Sequence, residues 1–260
     1  MKHRNTVTDF SPSAVDPTVD ATAFIHPLAA VIGNVTIGKK VMVSPFASIR
    51  GDEGQPLFIG DHSNVQDGVI IHALETEIDG KVVEKNCVTV QGKRYAVYVD
   101  EKVSLAHQVQ IHGPAFVGNN TFVGMKSLVF KSQIAPRCVI EPGCIIMGVT
   151  VAEGRYVPAG TVLKTQKDAD ALPLINEQYP MKDMNKGVIH VTSRSRKATT
   201  GTGCSKYAPA PACCAVQSMP SCGCDRRQEN KLDCCASCNY HQVIHYARHV
   251  RWGNRLHCRQ

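Results

Sequence analysis

Residues 30–50 read AVIGNVTIGKKVMVSPFASIR and set an aliphatic side chain at Val31, Ile37, Val43 and Ile49, each six positions after the last. Gly33 and Gly38 fall near the turns between them. An amphipathic helix repeats every 3.6 residues and a half-buried strand every 2.0, so neither explains the spacing. A six-residue beat fits a short strand with one inward aliphatic residue and a tight corner, three such strands closing a triangular coil. The phase resumes at Ile59, Val65 and Ile71 after an insertion around Gln55 and Pro56. It returns at Leu105, Ile111, Val117, Val123 and Val129, and again at Val139, Ile145, Val151, Val157 and Leu163. Stacked coils would pair their backbones and share one aliphatic core, as repeat architectures do. A β-sandwich would instead show turn signals every 8–12 residues and no fixed aliphatic phase.

The pattern resembles that of hexapeptide-repeat proteins, which implies a left-handed parallel β-helix. Two interruptions, at 51–58 and 73–95, are where chemistry is expected, because loops on a rigid scaffold carry function. The second is acidic, with Glu75, Glu77, Asp79 and Glu84. After Leu163 the repeat stops. The expected organisation is a solenoid domain over 1–178, with a short helical turn near 167–172, a C-terminal helix over 179–196 and a tail over 197–260.

Charge and cysteine divide the chain near the same place. Residues 1–193 hold 18 Lys and Arg against 19 Asp and Glu, while residues 194–260 hold 11 against 3. The net charge of +7 therefore belongs to the tail, and it argues against nucleic acid as a partner of the main domain. Cys87, Cys138 and Cys144 are scattered through the body, whereas nine of the twelve cysteines follow Gly203. A body without a disulfide framework suits a reducing cytoplasm. The basic N-terminus is not followed by an apolar secretory stretch, and no run is long enough to cross a membrane.

Three histidines stand out. His72, His107 and His112 lie within repeats beside polar neighbours. Imidazole is the commonest neutral metal ligand, and three with an open fourth position make a catalytic zinc pattern. His107 and His112 are an odd number of residues apart, which turns them to opposite sides of extended chain. A cyclic homotrimer resolves this if one subunit offers His107 and the next offers His72 and His112.

The segments SNVQDGVIIHALET at 63–76 and VSLAHQVQIHGP at 103–114 resemble the metal-ligand segments of gamma-class carbonic anhydrases. VMVSPFASIRGDEG at 41–54 is similar to the segment preceding that family's active site, and the acidic loop is most like the archaeal prototype. The match runs over 16–191. The resemblance implies reversible hydration of carbon dioxide to bicarbonate by metal hydroxide attack. It gives His72, His107 and His112 as ligands of Zn2+, with Fe2+ or Co2+ as alternatives. It puts Glu53 beside the reacting solvent, Gln66 orienting it, Asn64 in support and Glu75 carrying protons outward. It also implies charged contacts at the trimer interface for Arg50, Asp52 and Asp67. Glu77, Asp79 and Glu84 read as solvated loop carboxylates. Thr192 stands where the archaeal family has an asparagine near the site, which keeps a hydroxyl but loses two amide donors.

Two other functions compete. One is a non-catalytic scaffold similar to the N-terminal domain of the carboxysome shell-organising protein. The other is a hexapeptide-repeat acyltransferase, which uses one catalytic histidine rather than three. Residues 194–260 contain six Val, Leu or Ile and no Phe, too few for a core, so a disordered tail is expected. A structural zinc site at Cys235 and Cys238 is the alternative there.

Overall fold

The computed structural model describes residues 1–201 and forms a parallel β-solenoid of triangular section. Its three faces are sheets of eight, seven and seven strands. The first face includes Ala30–Gly33, Ser48–Gly51, Ile70–His72, Gln110–His112, Leu128–Phe130 and Ile145–Met147. The second includes Val35–Ile37, Leu57–Ile59, Val97–Val99 and Ala115–Val117, and the third Met42–Val43, Asn64–Val65, Ser104–Leu105 and Phe122–Val123.

Register explains the core. On the first face Val31 pairs with Ile49, Ile49 with Ile71, Ile71 with Ile111, and Ile111 with Val129. The other faces build equivalent columns through Ile37, Ile59, Val99 and Val117, and through Val43, Val65, Leu105 and Val123. All are buried. Each aliphatic side chain fully removed from water stabilises the coil by roughly 1.5–3 kcal/mol. Non-local backbone pairing holds the rungs together.

The six-residue phase fails in one stretch. Ile134, Ile140 and Ile146 point into the core, not Val139 and Ile145. Ile145 lies on the outside of the first face at 36% exposure. Val139 is buried in a separate outer cluster with Ala106, Phe122 and Tyr179. The reason is a corner one residue short: Val129 to Ile134 is a step of five, as is Ile146 to Val151. Every irregularity, whether insertion or deletion, falls on this same corner between the first and second faces.

The acidic loop is ordered. Glu77–Ile78 pairs antiparallel with Lys81–Val82, and Val88–Val90 with Lys93–Tyr95. The second hairpin docks through Tyr95, whose ring lies 5.0 Å from Tyr98 and 6.1 Å from Phe58 on the second face. Glu84 pairs with Arg94 at 2.6 Å on the surface.

Two helices follow the solenoid. Helix α1, Gln166–Asp170, is capped by the Thr165 side chain, which accepts from the Asp168 N–H. Helix α2, Met184–Gly201, starts later than expected and runs past Arg196. It packs on the third face against Met42–Val43 and Ser104–Leu105. Asn185 fastens one end to the Lys102 carbonyl at 2.8 Å, and Arg196 the other to the Thr22 carbonyl at 3.1 Å. No described helix is long and apolar enough to cross a membrane. The cysteine-rich part of the tail, including the zinc alternative at Cys235 and Cys238, lies outside the described residues.

Candidate active site

The expected site residues gather on two different corners of the triangle. The corner leading into the first face carries Gln66, Asp67 and His107. The corner leading out of it carries Arg50, Asp52, Glu53, His72, His112 and Glu75. At roughly 3.3 Å per extended residue, the step from His107 to His112 spans up to about 16 Å.

On the outgoing corner, His72 and His112 are register partners in adjacent coils, with ring centroids 5.6 Å apart. The backbone there is tight: a Cβ on Gly113 would meet the Ala96 carbonyl oxygen at 2.3 Å, so only glycine fits. His112 Nδ1 lies 3.1 Å from the Gly113 carbonyl oxygen. A carbonyl only accepts, so Nδ1 carries the proton and Nε2 the lone pair. Burial, together with the charges of His72 and Lys131, lowers the His112 pKa and favours this neutral form against the raising effect of that carbonyl.

His72 Nε2 is crowded. Arg50 Nη2 stands at 2.9 Å, Asp52 Oδ1 at 3.1 Å and Glu53 Oε1 at 3.4 Å. The guanidinium can only donate and so needs a lone pair on this nitrogen, whereas the carboxylates call for a proton there. A neutral imidazole nitrogen cannot serve both. A cation at Nε2 would use the lone pair and answer the carboxylates, with Arg50 turned to Asp52, already 3.7 Å away. Asp52, Glu53 and His72 are also the one group of three donor residues, among the described residues, whose ligand atoms lie within 4.8 Å of one another.

The two acids differ. Burial works against the Asp52 charge, but the His72 hydrogen bond and the charge of Arg50 outweigh it and hold the carboxyl low. Glu53 is pushed up, by burial first and then by the charge of Asp52, against the opposing pull of His72. The nearby backbone N–H of Glu75 pulls it the other way. The Glu75 carbonyl takes the Asn86 side-chain amide at 2.7 Å. The base of the acidic loop is therefore fixed, and only the Glu75 side chain is left to move.

On the incoming corner, His107 Nδ1 lies 3.0 Å from Asp67 Oδ2, both about half exposed. A carboxylate behind Nδ1 fixes the tautomer and presents Nε2 as a lone pair, the arrangement metal-binding histidines use. Asp67 thus meets His107 within the chain. Gln66 Nε2 donates to Asn64 Oδ1 at 2.9 Å, and Asn64 Nδ2 donates to Ser104 Oγ at 2.8 Å. This chain sets the Gln66 amide with its donor end inward and its carbonyl oxygen outward. Thr192 brings nothing to either corner, since its hydroxyl bonds the Val188 and Ile189 carbonyls of its own helix at 3.0 and 3.2 Å.

Ser104, Thr76 and Asn86 were not singled out from the sequence. Ser104 had a signal: it occupies the same place in its coil as Asn64. Thr76 closes the segment 63–76 but is buried only because two loops meet there. Asn86 had no signal.

The donor chemistry fits a dication, with two imidazoles whose Nε2 is a lone pair and a third whose Nε2 is contested as a cation would resolve. Among the described residues the three do not converge within one chain.

Comparison with known proteins bears on this arrangement. No family model matches the chain. It is 54% identical over 188 residues to the carbonic anhydrase of Methanosarcina thermophila, covering 72% of this chain and 76% of that protein. It is 42% identical over 171 residues to the carboxysome assembly protein CcmM of a Nostoc species, covering 66% of this chain but 29% of that protein. Similarity to mitochondrial gamma carbonic anhydrase 2 of Arabidopsis thaliana is 32% over 122 residues, 45% of this chain and 38% of that protein. With 54% identity to the Methanosarcina enzyme sustained over most of both chains, and a solenoid whose corners carry the expected histidines, the chain belongs to the gamma-class carbonic anhydrases, lyases that hydrate carbon dioxide.

Proposed function

We propose that the chain hydrates carbon dioxide in a homotrimer, at a dication held by His72 and His112 of one subunit and His107 of the next. The observation that carries this reading is the division of the ligands between the two edges of one face. Turned towards a threefold axis, the first face would bring the incoming corner of each subunit to the outgoing corner of its neighbour. The outer surface of that face supports this. Ile70, Gln110, Leu128, Ile145 and Val162 form a register column, in which Ile70, Ile145 and Val162 are exposed and apolar. Such a column belongs against another subunit rather than water.

Three neutral imidazoles suit zinc, and equally iron(II) or cobalt(II). A dication so held would lower the pKa of a water beside it to about 7 and so supply hydroxide at neutral pH. The remaining work falls to the chain. Glu53, with its pKa raised and 3.4 Å from His72, accepts the proton released beside the ligands. Gln66, its amide locked by Asn64 and Ser104, presents a carbonyl oxygen that orients the reacting water. Hydroxide adds to the carbon of carbon dioxide, bicarbonate leaves, and Glu75, at the start of the acidic loop, passes the released proton to bulk solvent. Arg50, freed from His72, pairs with acids at the interface. Free thiols at Cys87, Cys138 and Cys144 fit a cytoplasmic setting.

The test is metal analysis of anaerobically purified protein with a carbon dioxide hydration assay on the same sample. About one dication per chain with rapid hydration is expected from three equivalent interfaces. A metal-loaded trimer that does not hydrate carbon dioxide would favour the scaffold reading suggested by the carboxysome relative.

A further inference from the structure

We propose that Thr76 is a positioning residue: it clips the two loops of the outgoing corner together and so holds the Glu53 carboxylate against His72. The inference rests on the role given above to Glu53. Thr76 is fully buried although it is a polar residue in a loop. Its hydroxyl donates to the Glu53 backbone carbonyl and accepts the Gln55 N–H at 2.6 Å. Its own N–H donates to that same Glu53 carbonyl at 2.8 Å, and its carbonyl accepts the Val83 N–H at 2.8 Å. One residue thereby grips Glu53 twice, Gln55 once and the first hairpin once.

There is no slack between the loops. Gly54 sits at φ +97°, where a Cβ would lie 2.6 Å from Glu77 Cβ and 3.0 Å from Thr76 Oγ1. With its backbone fixed by Thr76, Glu53 is left with side-chain torsions alone. Thr76 is bonded to neither histidine, so it acts through Glu53. Valine has the same shape but no hydroxyl. Thr76→Val would leave the half-buried Gln55 N–H without its partner and remove one of two bonds to the Glu53 carbonyl. A shift of about 1 Å in a catalytic group is enough to cost a large factor in rate.

The experiment compares Thr76→Val, Thr76→Ser and Glu53→Ala with the double variant Glu53→Ala/Thr76→Val, all as full chains. Amide hydrogen exchange should quicken at least about tenfold at Gln55 in Thr76→Val, with core amides unchanged. Metal content should stay at the parent level while kcat/KM falls about tenfold. Thr76→Ser should restore both exchange and rate to within about twofold. In the Glu53→Ala background Thr76→Val should add nothing, because both act through one carboxylate. Parental kcat/KM in Thr76→Val, or a penalty that adds in full in the Glu53→Ala background, would overturn the proposal. If Thr76→Val does not fold, Thr76→Cys, a weaker hydrogen-bonding side chain, should lose more rate than Thr76→Ser, and parental behaviour there overturns it equally. A parent that carries metal but does not hydrate carbon dioxide would defeat the functional reading instead, and the exchange arm would still decide whether Thr76 clips the loops.

Discussion

The two corners flanking the first face are built on opposite plans. The incoming corner keeps the six-residue step in every coil: Val65 to Ile71, Leu105 to Ile111 and Val123 to Val129. Its functional groups, Gln66, Asp67 and His107, project from turns of fixed length, and their orientation is set by short side-chain chains such as Ser104–Asn64–Gln66. The outgoing corner accepts both long insertions and both shortened steps. There the proposed ligands His72 and His112 sit on strand ends, and the acids hang from loops tied down by Thr76 and Asn86. A solenoid can vary one corner freely because the other two keep the coils in register. What the comparison teaches is that rigidity on one side licenses elaboration on the other.

The sharpest way to break this comparison is to remove one ligand from each corner. His72→Ala and His107→Ala homotrimers should each lose bound metal and hydration activity entirely. Mixing the two kinds of chain should then restore about a quarter of the sites, since random assembly brings an intact outgoing corner against an intact incoming one with that frequency. Metal content after unfolding and co-refolding of the mixture measures it, and no recovery would mean the ligands are not shared between subunits.

A smaller effect separates the two acids of the outgoing corner. Glu53→Ala should depress kcat and kcat/KM together by about a hundredfold, as expected for a group acting during chemistry. Glu75→Ala should lower kcat by about tenfold and spare kcat/KM, and concentrated imidazole buffer should restore most of the loss by taking the proton directly. Stopped-flow hydration in weak and strong buffer reads both. Full speed of Glu75→Ala in weak buffer would remove it from the proton path.

The shortened corner after Val129 can be tested by stability. Ile146→Ala should cost about 3 kcal/mol, the usual range for emptying a packed core position. Ile145→Ala, one residue earlier, should cost under about 1 kcal/mol in the folding of the chain. Denaturant titration of the two variants distinguishes the observed phase from an unbroken six-residue one.

The smallest effect is expected at the tail. A chain ending after Gly201 keeps α2 and the Arg196 contact with Thr22, and should match the full chain in metal content per chain, oligomeric state and rate. Ending it before Arg196 would release that end of the helix and should lower its thermal stability measurably.

Much of this was legible in one dimension. The beat at Val31, Ile37, Val43 and Ile49 determines the solenoid, because a period of six has one compact solution and each coil repeats it. The ordered segments around His72, His107 and His112 determine the family, and the odd spacing of His107 and His112 underlies the proposal that ligands are shared between chains. Tertiary structure alone decided the rest. It moved the core phase to Ile140 and Ile146, since nothing local to Val129–Ile134 announces a corner of five residues. It turned the Thr192 hydroxyl onto its own helix, an outcome set by how α2 lies on the third face. It also joined residues 53, 76 and 86, distant in sequence, into one fixed corner. Sequence fixes what recurs, because identical local forces act in every coil; contacts made once, between loops that meet only when the coils stack, can be read only from the folded chain.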